Sequence, residues 1–124
     1  MTNGEGRDVL RKQRGREGEQ RAAAFLQAQG YRICARNHHA RGGEVDLICE
    51  KGELLCFVEV RARTSATVSA PEATVTRAKQ RKVVKAALDF MMRHQTGPRA
   101  IRFDVIAVVG TELLHIENAF DAGM

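Results

Sequence analysis

At 124 residues the chain fits one domain and is too short for two ordinary ones. Hydrophobic residues make up 44% and charged residues 28%, a globular balance that argues against a disordered chain, and no apolar run approaches the ~20 residues of a membrane-spanning helix. Lys and Arg number 20 against 15 Asp and Glu, so the formal charge of +5 favours a polyanionic partner without requiring one.

Residues 1–14 are rich in Gly, Arg and Lys, lack hydrophobic periodicity and read as a flexible basic N-terminal arm ahead of a single domain over 15–124. A helix pattern begins at Arg16, with Ala22, Ala23 and Leu26 at helical spacing and Gly30 where a C-terminal glycine cap belongs. Tyr31 to Asn37 alternates as a strand does, and a Gly42-Gly43 break leads into a second strand, Glu44 to Glu50. Lys51-Gly52-Glu53 turns the chain into a third strand, Leu54 to Ala62, antiparallel to the second. Arg63 to Pro71 is small, polar and loop-like.

From Thr76 to His94 a second helix presents Ala78, Val83, Ala87, Phe90 and Met91 along one face, until Gly97-Pro98 ends it. Ile101 to Val109 reads as a buried strand and Leu113 to Glu117 as a last edge strand, open to a second copy in a homodimer. The order α-β-β-β-α-β-β predicts an α/β fold with a mixed central sheet flanked by helices. Cys34, Cys49 and Cys56 are odd in number and form no CxxC pair, so they read as thiols of a reducing, cytoplasmic protein. No signal-peptide pattern opens the sequence.

Charged residues at core-facing positions point to chemistry, because isolated burial of a charge costs several kcal/mol. Glu19 shares a helical face with Ala22, Ala23 and Leu26, and so points towards the sheet; its plainer reading is a carboxylate favoured by the helix dipole. On the second strand, alternation sets Val45, Leu47 and Cys49 on one face and Glu44, Asp46 and Ile48 on the other. On the third, Glu59 and Arg61 share a face, and the plainer reading there is an ion pair at the sheet end. Asp46 and Glu59 stand across a tight hairpin, where antiparallel strands can bring their carboxylates together. Two such groups repel unless a proton or a cation sits between them, and hard oxygen ligands suit Mg²⁺ or Mn²⁺. A cation so held can polarise a phosphodiester.

Gly15-x-x-Gly18-Glu19, Gly43-Glu44-Val45-Asp46-Leu47-Ile48, Phe57-Val58-Glu59-Val60-Arg61-x-Arg63, Lys79 and Arg102-Phe103-Asp104-Val105 together resemble the bacterial YraN family, over about Gly15 to Phe120. That family is related to archaeal Holliday-junction resolvases. The resemblance implies a restriction-endonuclease-like three-layer fold with a PD-(D/E)XK type of site. Asp46 and Glu59 would hold the metal, Glu19 would support it from the first helix, and Arg61 would occupy the position of the motif lysine. That arginine is a departure: it keeps the charge and can grip a phosphate, but it is a poor proton acceptor.

Arg63, Lys79, Arg81 and Lys82 are candidate phosphate contacts, against a plainer reading of the helical ones as a solvated face. Arg102 and Asp104 read as a salt bridge near the site. His38 and His39, adjacent on a strand, point apart and suit no shared metal. The expected function is a divalent-metal-dependent nuclease acting on DNA, branched or recombination intermediates included. Two alternatives stand beside it: a catalytically weak or inactive nucleic-acid-binding domain of the same fold, and a protein-interaction domain.

Overall fold

A computed structural model describes residues 3–63 and 75–123, with side chains described over 15–62 and 75–123. Among the described residues are two helices and five strands, in the predicted order: α1 (Asn3–Ala28), β1 (Arg32–Ala40), β2 (Gly43–Lys51), β3 (Leu54–Arg63), α2 (Arg77–His94), β4 (Ala100–Val109) and β5 (Glu112–Phe120). The strands form one mixed sheet in the order β1-β2-β3-β4-β5. Neighbours are antiparallel except β3 and β4, which run parallel because the chain crosses over through α2 between them. No described helix is long and apolar enough to cross a membrane.

Three elements outrun the sequence expectation, β1 by running on past Asn37 to Ala40. The first helix starts at Asn3 and not at Arg16, so residues 3–14, read above as a flexible arm, are helical. Arg, Lys, Gln and Leu are good helix formers, and with no proline in the stretch they outweigh its glycines. The last strand continues past Glu117 to Phe120, because Asn118 takes a left-handed φ of 53° and absorbs an irregularity in the register with β4. The loop expected over Arg63 to Pro71 lies, beyond the backbone of Arg63, outside the described residues.

Each face of the sheet carries its own core. Ala22, Ala23 and Leu26 of α1 pack on Leu47, Cys49, Cys56, Val58, Ile106 and Val108. Val83, Ala86, Ala87 and Phe90 of α2 pack on Val45, Ile48, Leu55, Phe57 and Phe103 of the opposite face. Two glycines allow the close approach. A Cβ on Gly18 would stand 3.0 Å from the Ala62 Cβ, and a Cβ on Gly43 would stand 2.6 Å from the Lys82 carbonyl oxygen and 2.8 Å from the Ala86 nitrogen. The second contact brings the start of β2 against the first half of α2, which is where the acidic residues gather.

Candidate metal and active site

The alternation expected along β2 fails at Asp46. Leu47 and Cys49 face α1, whereas Val45 joins Ile48 on the α2 side. The cause lies on both neighbouring strands. In β1, Asn37 adopts φ 51° between the pairs Arg36–Leu47 and His38–Val45. In β3, the antiparallel register runs from Lys51–Leu54 to Leu47–Val58 and no further. Past that point the Asp46 side chain replaces the missing ladder acceptor: its Oδ2 takes the Val60 N–H at 2.8 Å. The backbone bond holds the carboxylate against β3, beside Glu59.

Glu59 is 2% exposed, the only buried acid besides Asp104 among the described residues. Its Oε2 lies 3.1 Å from Lys79 Nζ, while its buried Oε1 has no hydrogen-bond partner among the described residues. Burial and the neighbouring Asp46 push its pKa up to about 8, against the downward pull of Lys79. A close ion pair and a raised carboxyl pKa point opposite ways. The rise prevails because burial and Asp46 together outweigh the lysine, whose Nζ also reaches Glu44 Oε1 at 2.8 Å. Glu44 is held below its ordinary value, chiefly by that hydrogen bond.

Glu19 faces the sheet, as its helical position predicts. It is half-buried and its Oε2 accepts a hydrogen bond from Asn37 Nδ2 at 3.0 Å. Burial raises its pKa and the nearby Asp46 adds to the rise, offset in part by Asn37, Arg36 and Arg16. Asn37 therefore does two things, breaking the ladder opposite Asp46 and orienting Glu19. Sequence reading missed it, although Asn is one of the few residues that tolerate a left-handed conformation.

Lys79 is less exposed than a solvated helix face would leave it. It sits in the first turn of α2, where Thr76 caps the helix and its hydroxyl accepts the Lys79 N–H at 3.1 Å. Its side chain is drawn into the acidic cluster and not onto a solvated surface. Glu59 accordingly pairs with Lys79, where the plainer sequence reading paired it with Arg61. Arg61 lies half-buried two residues beyond Glu59 in β3, on the same face by strand alternation. Arg81 and Lys82 are exposed on α2, and the Arg63 side chain lies outside the described residues.

The Arg102–Asp104 bridge forms, but on the other face. Asp104 pairs with Val58 in the parallel register, and its carboxylate joins Arg102, His115 and the Asn118 N–H beneath α1. It is separate from Asp46 and Glu59.

Among the described residues no three His, Cys, Asp or Glu side chains gather as a ready metal nest. Asp46 and Glu59 nonetheless fit a hard divalent cation. They offer two adjacent carboxylates, one with a buried oxygen lacking a donor among the described residues, and Mg²⁺ or Mn²⁺ takes one or two carboxylates and fills the remaining positions with water. Cys34, Cys49 and Cys56 are free thiols and supply no soft site.

A family model described as uncharacterised protein family UPF0102 matches residues 18–108. A UPF0102 protein of Anaeromyxobacter sp. (strain Fw109-5) is 48% identical over 125 residues, covering 98% of this chain and 94% of the relative. One from Myxococcus xanthus is 49% identical over 118 residues, covering 92% of this chain and 94% of its own length. A third, from Persephonella marina, is 38% identical over 108 residues, with 87% and 93% covered.

Proposed function

We propose, for a chain that belongs to the UPF0102 family, a divalent-metal-dependent nuclease acting on DNA phosphodiesters, with a restriction-endonuclease-like fold and a PD-(D/E)XK type of site. The observation that carries this reading is Glu59, buried beside Asp46 with an oxygen that meets no donor among the described residues. A sheet that only had to fold would place an apolar side chain there, since buried like charges oppose folding. A cation held by the two acids would resolve the conflict.

When bound, Mg²⁺ or Mn²⁺ supplies Lewis-acid polarisation of a phosphodiester. Asp46 and Glu59 would hold it, with Asp46 oriented by the Val60 N–H as an outer hydrogen bond orients a ligand. Glu19, held by Asn37 Nδ2 and near Asp46, would support the pair from α1. Arg61, next along the Glu59 face, grips a phosphate oxygen and stabilises charge that builds there, without taking a proton. The exposed Arg81 and Lys82 give sequence-independent phosphate contacts.

Cleavage of matched linear, single-stranded and four-way-junction DNA in Mg²⁺ or Mn²⁺, comparing wild type with Asp46→Ala, tests the reading. Metal-dependent cutting that vanishes in the variant is the expected result, and no cutting by folded wild type on any substrate overturns it. Arg61 in the lysine position favours a second reading, a nucleic-acid binder without turnover. Arg61→Lys separates the two: a gain of cleavage marks a weakened enzyme, while unchanged, salt-sensitive binding without cleavage marks the binder.

A further inference from the structure

We propose that Lys79 is a built-in counter-ion, whose ammonium holds the cation position at Glu59 and competes with the divalent metal for it. The inference rests on the reading of Asp46 and Glu59 as metal ligands and adds a regulation of that site. Lys79 is out of place by local rules. It stands in the first turn of α2, where a helix N-terminus favours anions, and that turn contains no acidic residue. Its position is explained by the two carboxylates it reaches, at 2.8 Å in Glu44 and 3.1 Å in Glu59.

The two partners are unequal. The Glu59 side chain is 2% exposed and the Glu44 side chain 43%. A lysine is a point charge on a flexible four-carbon stem, so its ammonium can give up Glu59 and stay with Glu44 at little cost. Arginine, with its fixed planar fork, would not exchange so easily. Metal entry then becomes a swap of one cation for another. The acids never stand together uncompensated, and Glu44 retains the displaced ammonium beside the site.

The counter-ion predicts that removing Lys79 tightens metal binding. Isothermal titration with Mn²⁺, in the absence of DNA, compares wild type, Lys79→Met, Lys79→Gln and each of these combined with Asp46→Asn. Repulsion by a full charge within about 4–6 Å is on the order of tenfold in affinity. Either Lys79 variant is therefore expected to bind Mn²⁺ about tenfold more tightly than wild type, with Asp46→Asn abolishing the gain. Lys79→Gln serves should Lys79→Met fold poorly without metal, and thermal melting in a chelator checks both. Binding by wild type that stays equal or weakens in the variants overturns the counter-ion and leaves the metal site standing. Absence of Mn²⁺ binding in every variant overturns both. Binding that appears only once Lys79 is removed, and still depends on Asp46, supports both.

Discussion

Asp104 and Glu59 are both buried acids on neighbouring strands, 0% and 2% exposed, yet they face opposite sides of the sheet and differ in how their charge is met. Asp104 accepts from Arg102 Nε and Nη2 at 2.8 and 2.7 Å, lies 2.7 Å from His115 Nε2, and takes the Asn118 N–H at 3.0 Å. Burial alone would raise its pKa, but the hydrogen bonds to His115, Arg102 and the Asn118 backbone outweigh it and hold the carboxyl well below its usual range. Glu59 has a shared lysine, an acidic neighbour and one oxygen without a donor among the described residues, and its pKa rises. The fold can bury a carboxylate completely when it supplies the donors. Among the described residues it supplies far fewer to Glu59 on the α2 face.

The largest effect should follow from breaking the satisfied acid. Asp104→Ala leaves Arg102, 19% exposed in its side chain, and His115 without their buried partner. Breaking such a network by removing one member costs about 3–5 kcal/mol. Urea denaturation should register that loss, and a change below about 1 kcal/mol would place Asp104 in the same class as Glu59. Next comes Gly43→Ala, which disturbs the α2 face without touching an acid. Its Cβ meets the Lys82 carbonyl and the Ala86 nitrogen, backbone atoms that cannot turn aside. Overpacking of this kind costs about 1–3 kcal/mol, and by pushing α2 outward it should also loosen Lys79 from Glu59. A thermal melt reads the first effect and Mn²⁺ titration the second; an unchanged melting temperature would show that β2 and α2 do not press together here.

Much of this arrangement is legible in the sequence, and the parts that are not share a cause. Strand periodicity and turn residues place all five strands, and the hairpin at Lys51-Gly52 brings Asp46 and Glu59 to adjacent strands. Glu19 is readable from its helical spacing to Ala22, Ala23 and Leu26. What escapes is whatever depends on a partner far along the chain. The face taken by Asp104 follows from its pairing with Val58, and alternation along β4 alone cannot supply that choice. The break in alternation at Asp46 needs Asn37 across the ladder. Lys79 meets Glu44 over thirty-five residues of chain, and its one local signal is a cation in the first helical turn after Thr76, against the dipole.

The pH dependence of stability sharpens the comparison, because the two acids pull in opposite directions. Asp104, with its pKa lowered by folding, contributes stability that is present above the unfolded value of about 3.8 and is lost as pH falls through the folded one. For Glu59 the sign reverses. Its pKa is raised from 4.5 to about 8 in the folded protein, so the folded state binds the extra proton between those limits. Stability is then fully present below about pH 4.5 and declines as pH rises towards 8. Urea titrations of wild type in a chelator, from pH 5 to 9, should show that decline, and Glu59→Gln should remove most of it.

At pH 6 the Glu59→Gln substitution exchanges one neutral, hydrogen-bonding side chain for another of the same shape. It should change stability by less than about 1 kcal/mol, the smallest effect of the series. At pH 9 wild type must carry both negative charges, and the variant should be the more stable protein. A site acid whose removal stabilises the fold would stand in direct contrast to Asp104. Equal destabilisation by Glu59→Gln at both pH values would instead mean that the Lys79 pair outweighs burial and the Asp46 charge, and that Glu59 is held as a structural anion.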